Sequence, residues 1–194
     1  IALSVEKSKD WSGKDCYFYK IIANRDEYHE RPTSGMKWWS NNIVLAGRDE
    51  EAGGTWLGVS KEGKFGAITN LKEETDIKYS NSRGSLVTEF LESQLSAKPY
   101  LEALEPNKEN YAGFNLIIGD KSGLFYLCNR LEGIFFISEG IHALGNLTLN
   151  SSTKKIESIK NDFNQILHEG FAIDKGLHIM RKEYGNLHEK TKKE

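Results

Sequence analysis

The stretch Ile21-Ile22-Ala23-Asn24-Arg25-Asp26-Glu27-Tyr28-His29-Glu30-Arg31-Pro32 holds the densest run of groups able to do chemistry. An apolar strand-like segment runs into an amide, a guanidinium and two carboxylates, and Arg31-Pro32 then ends the regular structure. Two readings fit: a solvated loop, or a convergent site in which Asp26 and Glu27 orient Arg25 and neighbouring amides. A carboxylate buried there needs a cation, because uncompensated burial is costly, and Arg25 and Arg48 are the nearest in sequence. Asp26, Glu27 and Glu30 do not suggest a metal site, since no histidine pair stands at ligand spacing.

Three further features bear on a site. Paired glycines in Gly53-Gly54-Thr55-Trp56-Leu57-Gly58 allow a second backbone to come close before a strand, but the Lys-Ser/Thr ending of a phosphate loop is missing. Trp38-Trp39 fits either a pocket wall or simple packing. Asn70 and Asn146 each close an apolar run, where a side-chain amide serves either as a turn residue or as a donor to a developing oxyanion.

The elements that position these groups follow from apolar periodicity. Short β-branched and aromatic runs predict strands at Ile1–Val5, Tyr17–Ala23, Ile43–Ala46, Thr55–Val59 and Phe65–Thr69. Ser60-Lys61-Glu62-Gly63 reads as a hairpin turn. Helices are expected over Gly84–Leu95 and Pro99–Leu104, then an antiparallel meander at Phe114–Gly119, Leu124–Asn129 and Ile134–Ser138. A longer helix from Thr153 to His168 carries the stripe Ile156, Ile159, Phe163, Ile166 and Leu167, with Gly170 as its stop. Strands in hairpins and helices in separate blocks give an α+β fold, and 194 residues suffice for one domain with its own core.

Composition narrows the function classes. A net charge of −2 supplies no basic field for nucleic acid or an anionic membrane. No apolar run approaches the ~20 residues of a membrane span. Cys16 and Cys128 lie far apart in apolar runs and read as reduced thiols, which fits a reducing, cytoplasmic setting. Any of the five histidines could ligate haem iron, but none has a diagnostic neighbourhood.

Together these segments resemble the NRDE family, which includes the transport-and-Golgi-organisation-2 homologues. The resemblance rests on Asn24-Arg25-Asp26-Glu27, Arg31-Pro32-Thr33, Trp38-Trp39, Leu45-Ala46-Gly47-Arg48-Asp49, Glu51 through Val59, and Thr69-Asn70. It continues through Ser82-Arg83-Gly84, Gly113-Phe114-Asn115-Leu116 and Leu144-Gly145-Asn146, covering about the first 150 residues, while the last 40 or so match only in being helical. The resemblance implies an N-terminal-nucleophile (Ntn) hydrolase-like αββα sandwich of antiparallel sheets between helices, forming a single domain over 1–194.

It also implies a nucleophilic cysteine just upstream of Ile1, its α-amino group acting as base, and further strands after the last residue, so the chain is expected to be truncated at both ends. Neither Cys16 nor Cys128 can replace that cysteine, since neither has a free amine beside it. Asn24 and Glu27 would flank the nucleophile, and Asn70 and Asn146 would bind the oxyanion. Arg25, Asp26, Trp38, Trp39 and Trp56 are the residues expected to meet a ligand. The functions implied are intracellular binding and trafficking of a metabolite, haem foremost as cargo and acyl-CoA or a lipid-like molecule next, or hydrolysis of a linear amide. No cofactor, metal, nucleic-acid partner or membrane span is expected, and mitochondrial association in a eukaryote is compatible with this.

Overall fold

The computed structural model describes residues 1–25, 30–73, 79 and 81–181. In chain order these form β1 (Ala2–Lys9), β2 (Asp15–Ile22), β3 (Thr33–Trp38), β4 (Val44–Asp49), β5 (Leu57–Ser60) and β6 (Phe65–Asn70). Then come α1 (Arg83–Glu92), α2 (Ala97–Leu104), a 3-10 turn (Glu105–Asn110), β7 (Phe114–Asp120), β8 (Gly123–Cys128), β9 (Phe135–Ile137), β10 (Gly140–Ala143), α3 (Lys154–His168) and α4 (Ile173–Arg181). A seven-stranded sheet runs in order β3 to β9, and a three-stranded sheet runs β10, β1, β2. Every ladder is antiparallel.

Period-two alternation explains how two sheets become four layers. On β7, Phe114, Leu116 and Ile118 pack with Leu86, Val87, Phe90 and Leu91 of α1 and with Leu101 of α2, whereas Ile117 faces the other way. There it joins Leu3 and Val5 of β1, Phe65 and Ala67 of β6, and Leu124 and Tyr126 of β8, which fill the space between the sheets. On the far side of the small sheet, Ala2 and Ala143 meet Ile156, Ile159, Phe163 and Ile166 of α3 and Ile179 of α4. The order is therefore helices, large sheet, small sheet, helices, which is the αββα sandwich expected.

The turn at Ser60–Gly63 has Gly63 at φ +79°, as its hairpin reading requires. Lys64, buried one residue later, donates through Nζ to the carbonyl oxygens of Phe90 and Ser93 and so closes the C-terminus of α1. Burial holds its pKa below the ordinary lysine value.

β3 and β10 were not foreseen. Regular structure resumes at Thr33, directly after Arg31-Pro32, and β10 separates the meander from α3. Cys128 is buried, but Cys16 is only half-buried on β2.

Candidate functional site

The start of β1 is bonded on both sides. Ala2 stands opposite Ile22 on β2 and Ala143 on β10, while Ile1 and Leu144 exchange backbone bonds of 2.9 Å in both directions. Carried one step past Ile1, the two registers meet Asn24 on one flank and Gly145 on the other. Asn146 follows at once, and its Nδ2 donates to the Asn70 carbonyl at 3.0 Å. Its own carbonyl accepts the Lys72 amide at 2.7 Å. Asn70 and Asn146, 76 residues apart, are thus adjacent, and the β1 ladder brings Asn24 to the same end of the sandwich.

A second cluster lies where the chain leaves β2. The Arg25 guanidinium stacks on the Trp56 ring, 4.4 Å from its centroid, and its Nη2 stands 3.8 Å from Asp49 Oδ2. The same oxygen accepts the Arg31 Nε–H at 2.7 Å. Burial raises the Asp49 carboxyl, but the Arg31 bond and the amides of Ala52 and Glu51 outweigh it and hold the pKa below the ordinary value. The tip of the Trp56 ring occupies the place where a Cβ on Gly47 would sit. A Cβ on Gly54 would stand 2.5 Å from the Gly84 backbone, so the paired glycines let the loop before β5 abut the start of α1. Asp26 and Glu27 lie outside the described residues, as does any pairing of either with an arginine. Arg48 sits over the Trp39 ring at 4.9 Å.

The two neighbouring tryptophans go to different surroundings. Trp39 donates through Nε1 to the Ala46 carbonyl and packs against the core under α1. Trp38 pairs across the ladder with Leu45, remains 45% exposed, and carries Lys61 Nζ 5.2 Å above its ring.

A polar network inside the large sheet escaped the sequence reading. Asn115, fully buried on β7, donates through Nδ2 to the Leu147 carbonyl at 3.0 Å and to Thr69 Oγ1 at 3.3 Å. Thr69 passes its hydroxyl hydrogen to the Gly145 carbonyl at 2.8 Å. Tyr126 donates to Asn115 Oδ1 at 2.7 Å and accepts the Leu149 amide at 3.3 Å. The available signal was one amide inside the apolar run Phe-Asn-Leu-Ile-Ile.

Among the described residues no group of three or more His, Cys, Asp or Glu is placed to hold a metal, and no helix is long and apolar enough to cross a membrane. A separate cleft of about 500 Å³ opens between α3 and α4, lined by Asp162, Glu169, Asp174 and His178 among others.

The model of the family described as "Transport and Golgi organisation 2" matches residues 8–193. The mouse Transport and Golgi organization 2 homolog is 35% identical over 174 residues, which cover 84% of this chain and 63% of that protein. The human homolog is 34% identical over 176 residues, covering 86% and 64%. The chain therefore spans a little under two thirds of the length of these relatives. Among solved structures, a Caenorhabditis elegans ortholog of N-acylethanolamine-hydrolyzing acid amidase superposes with a TM-score of 0.57 at 12% identity, over 93% of this chain and 86% of that one. That likeness shows the fold, which is the Ntn-hydrolase-like sandwich expected. The chain belongs to the Transport and Golgi organisation 2 family.

Proposed function

We propose that this end of the sandwich binds a small intracellular metabolite for transfer, haem foremost, with acyl-CoA or a lipid-like molecule next. The observation that carries the reading is the inner face of the large sheet beside the site. The small sheet has three strands against seven, and the side chains packed beneath it come from β5 to β9. On β3 and β4 the same face offers Trp38 beside Leu45, with Lys61 over the indole. Near the site stands Trp56, its ring under Arg25. Indole surfaces bordered by cations suit a flat or extended apolar ligand that carries anionic groups.

The test is titration of the full-length protein with hemin and with a long-chain acyl-CoA, followed by recovery of the ligand. Carriage predicts saturable binding with the ligand returned intact, and at least tenfold weaker binding for Trp56→Ala. Binding unchanged by that substitution removes this reading.

A second reading, hydrolysis of a linear amide, is favoured by the β1 register. A nucleophile placed directly before Ile1 would lie between Asn24 and Gly145-Asn146, with the Asn146 amide at hand for an oxyanion. An upstream cysteine would attack the carbonyl carbon and its α-amine would take the thiol proton; the amine product leaves, and water releases the acyl group. Turnover of an N-acyl aminocoumarin that falls about 10²–10³-fold in Asn146→Ala supports this reading, and no turnover ends it.

A further inference from the structure

We infer that Tyr126, acting through Asn115, is a positioning residue that fixes the Asn146 loop; the catalytic side of this inference rests on the hydrolytic reading of Asn146. The loop following β10 has no strand partner of its own over residues 145–149, yet it is gripped at every second residue. Thr69 of β6 holds the Gly145 carbonyl, Asn115 of β7 holds the Leu147 carbonyl, and Tyr126 of β8 holds the Leu149 amide. The three side chains are bonded in series, Tyr126 to Asn115 at 2.7 Å and Asn115 to Thr69 at 3.3 Å. Every hydrogen of that chain is used: the tyrosine hydroxyl, both amide hydrogens of Asn115 and the threonine hydroxyl each have an acceptor.

Such a network is a poor route to stability alone. Asn115 is fully buried and Tyr126 nearly so, among apolar side chains that would pack as well without polar atoms. What the network adds is direction. It sets three successive points of the loop, and the residue between the first two is Asn146, whose amide reaches Asn70 and whose carbonyl takes the Lys72 amide. Removing the tyrosine hydroxyl frees the Leu149 amide and leaves Asn115 Oδ1 without its donor. The carboxamide of Asn115 can then turn and release Leu147, so a change made on β8 is felt at Asn146.

The experiment combines Tyr126→Phe, Asn146→Ala and the double variant in the full-length protein, read by amide hydrogen exchange and by turnover of an N-acyl aminocoumarin. Tyr126→Phe is expected to speed exchange at Lys72 and Leu149 at least tenfold while leaving Ile117 and Ile118 protected. It should lower kcat about tenfold with KM within twofold, and in the Asn146→Ala background it should lower kcat no further. Unchanged exchange at Lys72 and Leu149, or losses that multiply in the double variant, overturn the inference. If Asn146→Ala leaves turnover intact, the hydrolytic reading fails and the catalytic role with it, while exchange still decides whether the network sets the loop. Should Tyr126→Phe fail to fold, Thr69→Val removes the Gly145 hold and the Asn115–Thr69 bond while leaving the Tyr126 bonds in place, and is judged by the same two readouts.

Discussion

The two sheets use the same antiparallel ladder and finish it differently. In the large sheet every residue of β7 and β8 is buried, with helices on one face and the small sheet on the other. In the small sheet only the first four residues of β1 and Ala143 of β10 are buried, and the hairpin β1 forms with β2 runs out to Trp11, 99% exposed at its tip. Stability is thus concentrated at the centre of the large sheet. The candidate site takes its precision from the one end of the small sheet that is held on both sides.

Four substitutions test that contrast. The largest expected effect is Phe90→Ala. This ring is fully buried under α1 and packs on Tyr100 with centroids 5.2 Å apart. Its loss should destabilise the fold by about 3–5 kcal/mol, while Trp11→Ala should stay within about 0.5 kcal/mol. Chemical denaturation of both variants decides, and equal losses would break the comparison. Next comes Gly54→Ala, which drives a Cβ into the backbone of Gly84 and should cost about 1–3 kcal/mol. Because Trp56 lies two residues on, its fluorescence should shift as well. A silent Gly54→Ala would mean that the loop before β5 has room to retreat.

The smallest effect concerns pH and lies in the small sheet. His142 on β10 accepts from Asn150 Nδ2 at Nδ1, 2.9 Å away, and donates from Nε2 to the Ser138 carbonyl at 3.0 Å. Burial holds its pKa below the ordinary value of about 6.5; the Ser138 bond opposes this, and Lys160 adds to the lowering. The unfolded chain therefore binds a proton that the folded one resists. The stabilisation is complete above pH 6.5 and is lost as the pH falls through that value toward the lowered folded pKa. Melting temperatures from pH 8 to pH 5 should decline less steeply in His142→Gln than in the parent. Parallel profiles would show that His142 does not set the slope.

Most elements were legible because their apolar residues repeat at two or at three to four. The helix predicted from Thr153 to His168 is α3, and its apolar stripe forms the floor of the outer layer. The meander of β7, β8 and β9 is paired as predicted. β3 gave no such signal: it is an edge strand, almost wholly exposed, with a register shift between Ser34 and Lys37. β10 is four residues long, too short for a period to show. For the site, the strand ends announced Asn70 and Asn146, but nothing local revealed that they touch. Asn115 and Tyr126 stayed hidden for a related reason, since a buried polar residue in a strand looks like an interruption until its partners are known. Trp38-Trp39 left a pocket wall and simple packing both open in the sequence, and the two side chains take different surroundings because adjacent residues at a strand end turn to opposite sides.

The position of β1 in the middle of the small sheet has a consequence for biosynthesis. Its partner β2 is made next, but its other partner, β10, ends 142 residues after Ile1, at Ala143. At about 5–20 residues per second, roughly 7–30 s pass at the ribosome before that edge can be covered. During this interval β1 shows an open row of backbone donors and acceptors beside Leu3 and Val5, a template for pairing with another chain. The strand that later anchors the site is thus the one left open to wrong pairing longest on its β10 side.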